Sequence, residues 1–388
     1  MATGARHELY IVRETAYGGA PQIPELHAIP ITGTTLALTK DTFQSALLRS
    51  DRQIQDFRHG MRQVGGGIDV EMKGTDYDDL LAGLFSNEWE AATTVTLPVG
   101  DTPTINAAAS GIDSGGTDLQ AAGFAVGDEI SMTGWTNAEN NVVAATIAEF
   151  TTPQLMVLES VALVDETATA DIVITSTAAT LKLGEKRISH TVVRQFTDIQ
   201  ASDDFVFHGV EMNTFDLTVS ANAIVTASFG AIGKNQSFIP DYVDGGTVIP
   251  ATASSVMDAF TGQLSEGGQP IATVTEITLN IDNGMEVRPV IGSDSTLRPG
   301  QARFNATGQI TAYFEDVSLL KKFLDETDTS LLFEIRGRDG RSYTFDLPRI
   351  SFSGGQPDVP DEGDVMLTMP FQALLETTKG TNLTIIRA

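Results

Sequence analysis

Apolar and polar residues alternate in short runs along most of the chain, broken at Gly, Asn, Asp and Ser. A period of two predicts strands with one buried face. The runs cover 67–72, 211–219, 224–229, 274–281, 309–314, 331–335, 342–347 and 364–371. In the first, Ile68, Val70 and Met72 alternate with Asp69, Glu71 and Lys73, so one face is core and the other polar. Helical spacing is rarer. Residues 76–85 put Leu80, Leu81, Leu84 and Phe85 on one face, with Thr75 or Asp76 as N-cap. Residues 316–324 predict a second helix that buries Leu319, Leu320, Phe323 and Leu324, and 251–263 a third carrying Val256, Met257 and Phe260.

The first two helices belong to a repeat. GGGIDVEMKGTDYDDLLAGLF and ATGQITAYFEDVSLLKKFL both read strand, turn, helix. Ile68, Val70 and Met72 match Ile310, Ala312 and Phe314 (or Tyr313), and Leu80-Leu81 match Leu319-Leu320. Ser50-Asp51-Arg52 and Ser293-Asp294-Ser295 precede the two units, and runs at 28–38 and 274–281 precede those. Downstream, FVFHGVEMNTFDLTV with AIVTASFGAIG resembles SYTFDLPRISFSG with DVMLTMPFQALL. The shared order of elements predicts a tandem duplication.

Charge then divides the chain. It holds 24 Lys and Arg against 51 Asp and Glu, a net −27. Residues 91–180 contain no Lys or Arg and eleven acids, while the other 298 residues hold all 24 basic and 40 acidic ones. That shift predicts an inserted domain of four or five short strands, a small barrel or sandwich, projecting from its parent where chain ends lie close. The expected boundaries are 1–90 with 181–240 for the first domain, 91–180 for the insert, 241–268 for a linker and 269–388 for the second domain. So acidic a chain repels nucleic acid at long range, which argues against DNA binding through Lys and Arg. No cysteine is present, excluding disulfides and thiolate metal sites. Residues 1–18 lack the apolar centre of a signal peptide, and no apolar run is long enough to span a membrane, so a soluble protein made in the cytoplasm is expected.

LLRSDRQIQDFRHGMRQVGGGIDVEMKGTDYDDLLAGLF and EKRISHTVVRQFTDIQASDDFVFHGVEMNTFDLTVSANAIVTASFGAIGK resemble the tail-tube proteins of long-tailed, non-contractile (siphovirus-type) bacteriophages. With DVMLTMPFQALL and a module of the GFAVGDEISMTGWTNAENN type, the resemblance covers nearly the whole chain. It implies a mainly β fold, two tandem tail-tube β-sandwich or barrel domains each with a short flanking helix, plus the small all-β insert. It also implies a structural virion protein and no catalytic residues or cofactors. Rings would stack into a tube that conducts DNA without binding it specifically. Two domains per chain make a six-domain ring from three chains. Further implied partners are the tape-measure, tail-terminator and tail-tip proteins.

Within that frame, Asp69, Glu71, Glu211 and Asp216 are expected to line an acidic bore. The long, charged, aperiodic stretch 39–63, with Arg49, Asp51, Arg52, Asp56, Arg58 and Arg62, reads as an arm reaching a neighbouring subunit or ring, and residues 8–24 are expected to do likewise. Trp135, Asn137 and Asn140 are placed on the insert's outer surface, where a competing reading makes the insert a carbohydrate-binding or adhesion module. The five histidines (His7, His27, His59, His190 and His208) show no zinc spacing. Gly65–Gly67 reads as a turn, and no Gly-x-Ser-x-Gly elbow occurs. Asp358, Asp361, Glu362 and Asp364 are expected to form a solvated acidic hairpin loop.

Overall fold

The computed structural model describes residues 4–90, 93–124, 129–142, 145–158, 161–176, 179–199, 203–259, 264–271, 273–358 and 363–388. Phe260, Asp361 and Glu362 lie outside them. The fold is mainly β. Contacts divide the chain into two units, Met1–Glu88 with Lys182–Thr384, and Trp89–Leu181 with Ile385–Ala388.

In the larger unit the main elements are β1 (His7–Arg13), β2 (Glu25–Ile29), β3 (Ala37–Gln44), β4 (Phe57–Glu71), α1 (Asp78–Phe85), β5 (His190–Phe196), β6 (Asp203–Ser220), β7 (Thr226–Gly233), β8 (Asn235–Pro240), β9 (Val274–Asp282), β10 (Asn305–Tyr313), α2 (Ser318–Leu324), β11 (Thr329–Gly337), β12 (Ser342–Phe352), β13 (Gln356–Asp358) and β14 (Met366–Ala373), with shorter strands in the loops between them. Gly65–Gly67 lie inside β4 and not in a turn, because β7 pairs with them there. β6 belongs to two ladders. Its first half lies between β5 and β8, and β5 leads on to β1 and β2. Its second half lies between β7 and β9. From there one antiparallel sheet runs β3-β4-β7-β6-β9-β10-β14-β13.

The two halves of this unit share pairing order and register. β3-β4-β7-β6-β5 in the first half corresponds to β9-β10-β14-(β12, β13)-β11 in the second. Adding 140 to each residue number of the β6–β7 hairpin reproduces the β12–β13–β14 hairpin. Thr218↔Thr226 becomes Asp358↔Met366, and Glu211↔Ile232 becomes Ser351↔Gln372. Even the bulges coincide: His190↔Val210 then Val192↔Phe207 is matched by Thr329↔Ile350 then Leu331↔Leu347. Ile68↔Phe229 is likewise matched by Ile310↔Met369, with the pairing of 68 to 310 that the sequence repeat predicts.

The helices differ from expectation in three ways. α1 begins at Asp78, and no side chain caps it. Asp76 instead accepts from the Thr252 amide (2.8 Å) and hydroxyl (3.0 Å), and Thr75 is held in a left-handed conformation (φ 68°). α2 buries none of its residues: Leu319, Leu320 and Phe323 are half-buried and Leu324 is 74% exposed. No third helix forms among the described residues of 251–263. Met257 instead pairs with Gly337 and donates its amide to Met72 O (2.8 Å), because the sheet edge there captures the backbone.

Among the described residues of the smaller unit, eight short strands pair around one apolar core that includes Leu97, Ile112, Met132, Ile147, Met156 and Ile174.

Candidate functional site

Strict alternation in the long sheet sorts its residues onto two faces. One face is core. Ile68, Phe229, Phe215, Ile281 and Ala306 stand in one cross-strand row, and Val70, Ala227, Leu217, Leu279, Gly308 and Phe371 in the next. Gly308 is required there: an added Cβ would lie 2.4 Å from the Phe371 ring and 2.2 Å from Thr278 O.

The opposite face carries mostly polar residues in three consecutive rows. One row reads Gly33, Asp69, Ser228, Asp216, Asn280, Thr307, Gln372. The next reads Glu71, Thr226, Thr218, Thr278, Gln309, Pro370, and a third reads Ser220, Glu276, Thr311, Thr368, Gln356. No Lys or Arg stands in any of the three rows. Two carboxylates are held by neutral donors: Ser228 Oγ donates to Asp69 (2.6 Å) and Asn280 Nδ2 to Asp216 (2.6 Å). Among the described residues Asp69, Glu71, Asp216 and Glu276 make no ion pairs, so their negative charge is not cancelled locally. Such a face repels phosphate and offers it no cationic partner.

The structure brings Asp69, Glu71 and Asp216 onto one face of the sheet and adds Glu276. That residue was legible in VTEITLNID, where Glu276, Thr278, Asn280 and Asp282 alternate with apolar positions. Glu211 is a correction. It is 1% exposed, because Arg187 and Arg298 close over its carboxylate. Arg298 reaches one oxygen through Nε (2.8 Å) and Nη2 (2.6 Å), Arg187 holds the other, and Arg187 also donates to Pro299 O (2.8 Å). Glu211 clamps segments together and is not available to solvent.

The model of the phage tail tube protein family matches residues 4–373. The chain belongs to that family. No curated protein matches it. As a tail tube protein it is a structural component of the virion that assembles into a tube, and among its described residues no helix is long and apolar enough to cross a membrane.

The expected arm of this tail tube protein is a hairpin. β3 and β4 pair from Ala37↔Gly65 out to Gln44↔Phe57, with a bulge between Lys40 and Thr42 that breaks the period and hid the strands from the sequence. Four of its charges pair within the hairpin, Arg49 with Asp51 (2.8 Å) and Arg58 with Asp56 (3.2 Å). The Arg49 hydrogen bond holds the Asp51 carboxyl below the usual range. Arg62 pins the base to Asp294 (3.4 Å), and Arg52 sits in a left-handed turn at the exposed tip. The side chains that the hairpin exposes include apolar Phe43, Leu47, Leu48, Ile54 and Phe57.

Residues 8–24 do not form an arm. Glu8 lies in β1, and Glu14 fastens the following segment by accepting from Ser189, Thr191 and the Gly209 amide (2.8–2.9 Å).

In the smaller unit Trp135 (4% exposed) and Asn140 (0%) are buried, correcting their surface placement. Trp135 joins the core. Asn140 bonds the Val164 backbone both ways (2.9 Å each) and donates to Glu166 (2.7 Å), while half-buried Asn137 caps a short 3-10 turn through the Glu139 amide (3.1 Å). The Asn-rich turn is a fastening device, and its tryptophan presents no exposed ring on which a sugar would stack.

The described residues hold no cluster of His, Asp and Glu fit for a metal. His190 is fully buried beside α1, and burial pulls its pKa down to about 4.

Proposed function

We propose that the chain forms the tube of a long non-contractile tail, with three chains closing each ring and the rings stacking into a conduit for DNA. The two halves of the larger unit act as equivalent tube domains, so each ring has pseudo-six-fold symmetry. Residues 89–181 act as an inserted domain on that scaffold. The polar sheet face lines the bore. The observation that carries this reading is the run of three cross-strand rows with carboxylates, hydroxyls and amides and no Lys or Arg.

The geometry is consistent. Eight strands per chain share the polar face, and three chains supply about 24 strands. At ~4.8 Å spacing and ~40° tilt these close a barrel roughly 48 Å across, wide enough for a duplex after side chains are allowed for. A wall without cations forms no ionic contacts with phosphate, so DNA slides instead of binding. The tape-measure, terminator and tip proteins would meet the tube at its inside and its ends.

Negative-stain electron microscopy tests the reading. Purified protein under assembly-promoting conditions is expected to give hollow tubes whose end-on averages show six similar lobes in three pairs. Solid fibres, or protein that stays monomeric, would refute it.

A further inference from the structure

We infer that the junction between neighbouring chains repeats the junction between the two halves of one chain. The free edge of residues 354–358 pairs with residues 35–39 of a second copy, and the β3–β4 hairpin of that copy covers α2. The inference rests on the ring reading proposed for the tube.

Inside the chain, the outer edge of β6 is occupied by β9, from Thr214↔Asp282 to Ser220↔Glu276. The segment after β9, residues 283–304, folds over α1. Asn283 Nδ2 donates to Leu84 O (2.9 Å), Gln301 to Ser86 Oγ (3.2 Å), and the Phe304 ring packs on Phe85 at 5.4 Å. Phe85 is fully buried as a result.

The second half has the same parts without their cover. Among the described residues β13, the counterpart of the end of β6, pairs only with β14, and β3, the counterpart of β9, pairs only with β4. Leu324, at the position of Phe85, is 74% exposed. The counterpart of segment 283–304 is the β3–β4 hairpin, whose Phe43, Leu47, Leu48, Ile54 and Phe57 are left exposed by their own chain. An open edge, an uncovered helix and an apolar hairpin are the three components of one contact, present at opposite ends of one sheet.

Register follows by transposition, adding 140 on the β6 side and subtracting 243 on the β9 side. Phe215↔Ile281, Asp216↔Asn280 and Leu217↔Leu279 become Gly355↔Leu38, Gln356↔Ala37 and Pro357↔Leu36 across chains. One detail checks this register independently. The Asn283 amide bonds Asn213 O (3.0 Å), which sets 213, 215, 217 and 219 as the hydrogen-bonded rungs. The rung at 217 maps onto Pro357, which has no N–H to give. Its partner Leu36 needs none: the Leu36 carbonyl already accepts from Arg194 Nη1 (2.7 Å), and its amide donates to Thr34 Oγ1 (3.2 Å). The rung that lacks a donor meets the residue that is already satisfied.

A cysteine pair tests the seam in a chain that has none of its own. Ala37→Cys with Gln356→Cys falls on a non-hydrogen-bonded rung, where side chains approach most closely. Oxidised tubes of this double variant are expected to run on a non-reducing gel as dimers and trimers of the chain. The internal equivalent, Asp216→Cys with Asn280→Cys, is expected to cross-link within single chains only. Tubes that form while Ala37→Cys/Gln356→Cys stays monomeric on the gel, with the internal pair cross-linking, would overturn the seam and leave the ring reading standing. Wild-type protein that forms no rings or tubes would overturn both. Leu324→Asp serves if the cysteine variants misfold: it is expected to keep the wild-type unfolding midpoint and lose assembly by tenfold or more, and unimpaired assembly would overturn the seam.

Discussion

α1 and α2 occupy equivalent places in the two halves of the larger unit, and they could hardly be treated more differently. α1 buries every residue from Leu80 to Phe85, whereas α2 buries none. Propensity does not separate them, since both carry an apolar stripe and similar lengths. The difference lies in the segment that comes after the neighbouring strand. Residues 283–304 lie over α1 in the same chain, and the corresponding hairpin extends from the opposite end of the sheet. On the seam inferred above, a neighbouring chain would supply for α2 the cover that α1 receives from its own chain.

The sharpest break of this comparison is truncation at the equivalent positions. Phe85→Ala is expected to lower the stability of the isolated chain by about 3–5 kcal/mol, because it leaves a cavity against Phe304. Leu324→Ala should cost under ~1 kcal/mol in the same urea titration. Equal losses would mean that α2 is covered within its own chain.

The Glu211 clamp has no twin, since the equivalent residue is Ser351. Glu211→Ala leaves Arg187 and Arg298 without their shared carboxylate, and a loss of about 3 kcal/mol is expected in denaturant unfolding. Ser351→Ala should change stability by less than ~0.5 kcal/mol.

Acid should distinguish the halves more gently. His190 sits where the second half has Thr329. Its folded pKa of about 4 lies below the unfolded value of about 6.5, so the unfolded chain takes up the proton first. The stability this burial confers is complete above about pH 6.5 and is lost as pH falls toward 4, at up to roughly 1.4 kcal/mol per pH unit. A His190→Phe chain should show a shallower slope in that window, measured by thermal unfolding at several pH values. An unchanged slope would assign the acid sensitivity to other groups.

The smallest effect on folding should come from the polar face. Asp216→Lys, on a surface with no packing to lose, is expected to shift stability by less than ~1 kcal/mol and to leave tubes intact. The same change should slow DNA ejection from assembled particles in a salt-dependent way, since screening weakens the new attraction. Ejection kinetics identical to wild type at low salt would remove the polar face from the bore.

Much of this arrangement was legible in the sequence. Alternation located the strands, and the order strand, turn, helix showed the recurrence whose register the ladders reproduce. Asp69 and Asp216 were readable as a polar face because no bulge separates them from their apolar neighbours. Glu211 was not, because the pleat is interrupted at Asn213 and its two arginines come from distant segments. Leu324 misled because an apolar stripe carries no mark of whether its own chain will cover it. Trp135 misled because a tryptophan between Gly134 and Thr136 looks exposed, while a neighbouring asparagine, Asn141, draws that turn inward. The third helix failed because the sheet edge offered Met257 backbone partners that an isolated helix cannot match.

The polar face has one more property. Many of its side chains are Thr, Ser or Asn, short groups with few rotamers, and the three rows hold none of the long flexible cations that grip anions. A hydrated polyanion moving over such a wall meets shallow, closely spaced barriers and no deep wells. If this face lines the bore, as proposed, friction would stay low because nothing would have to let go.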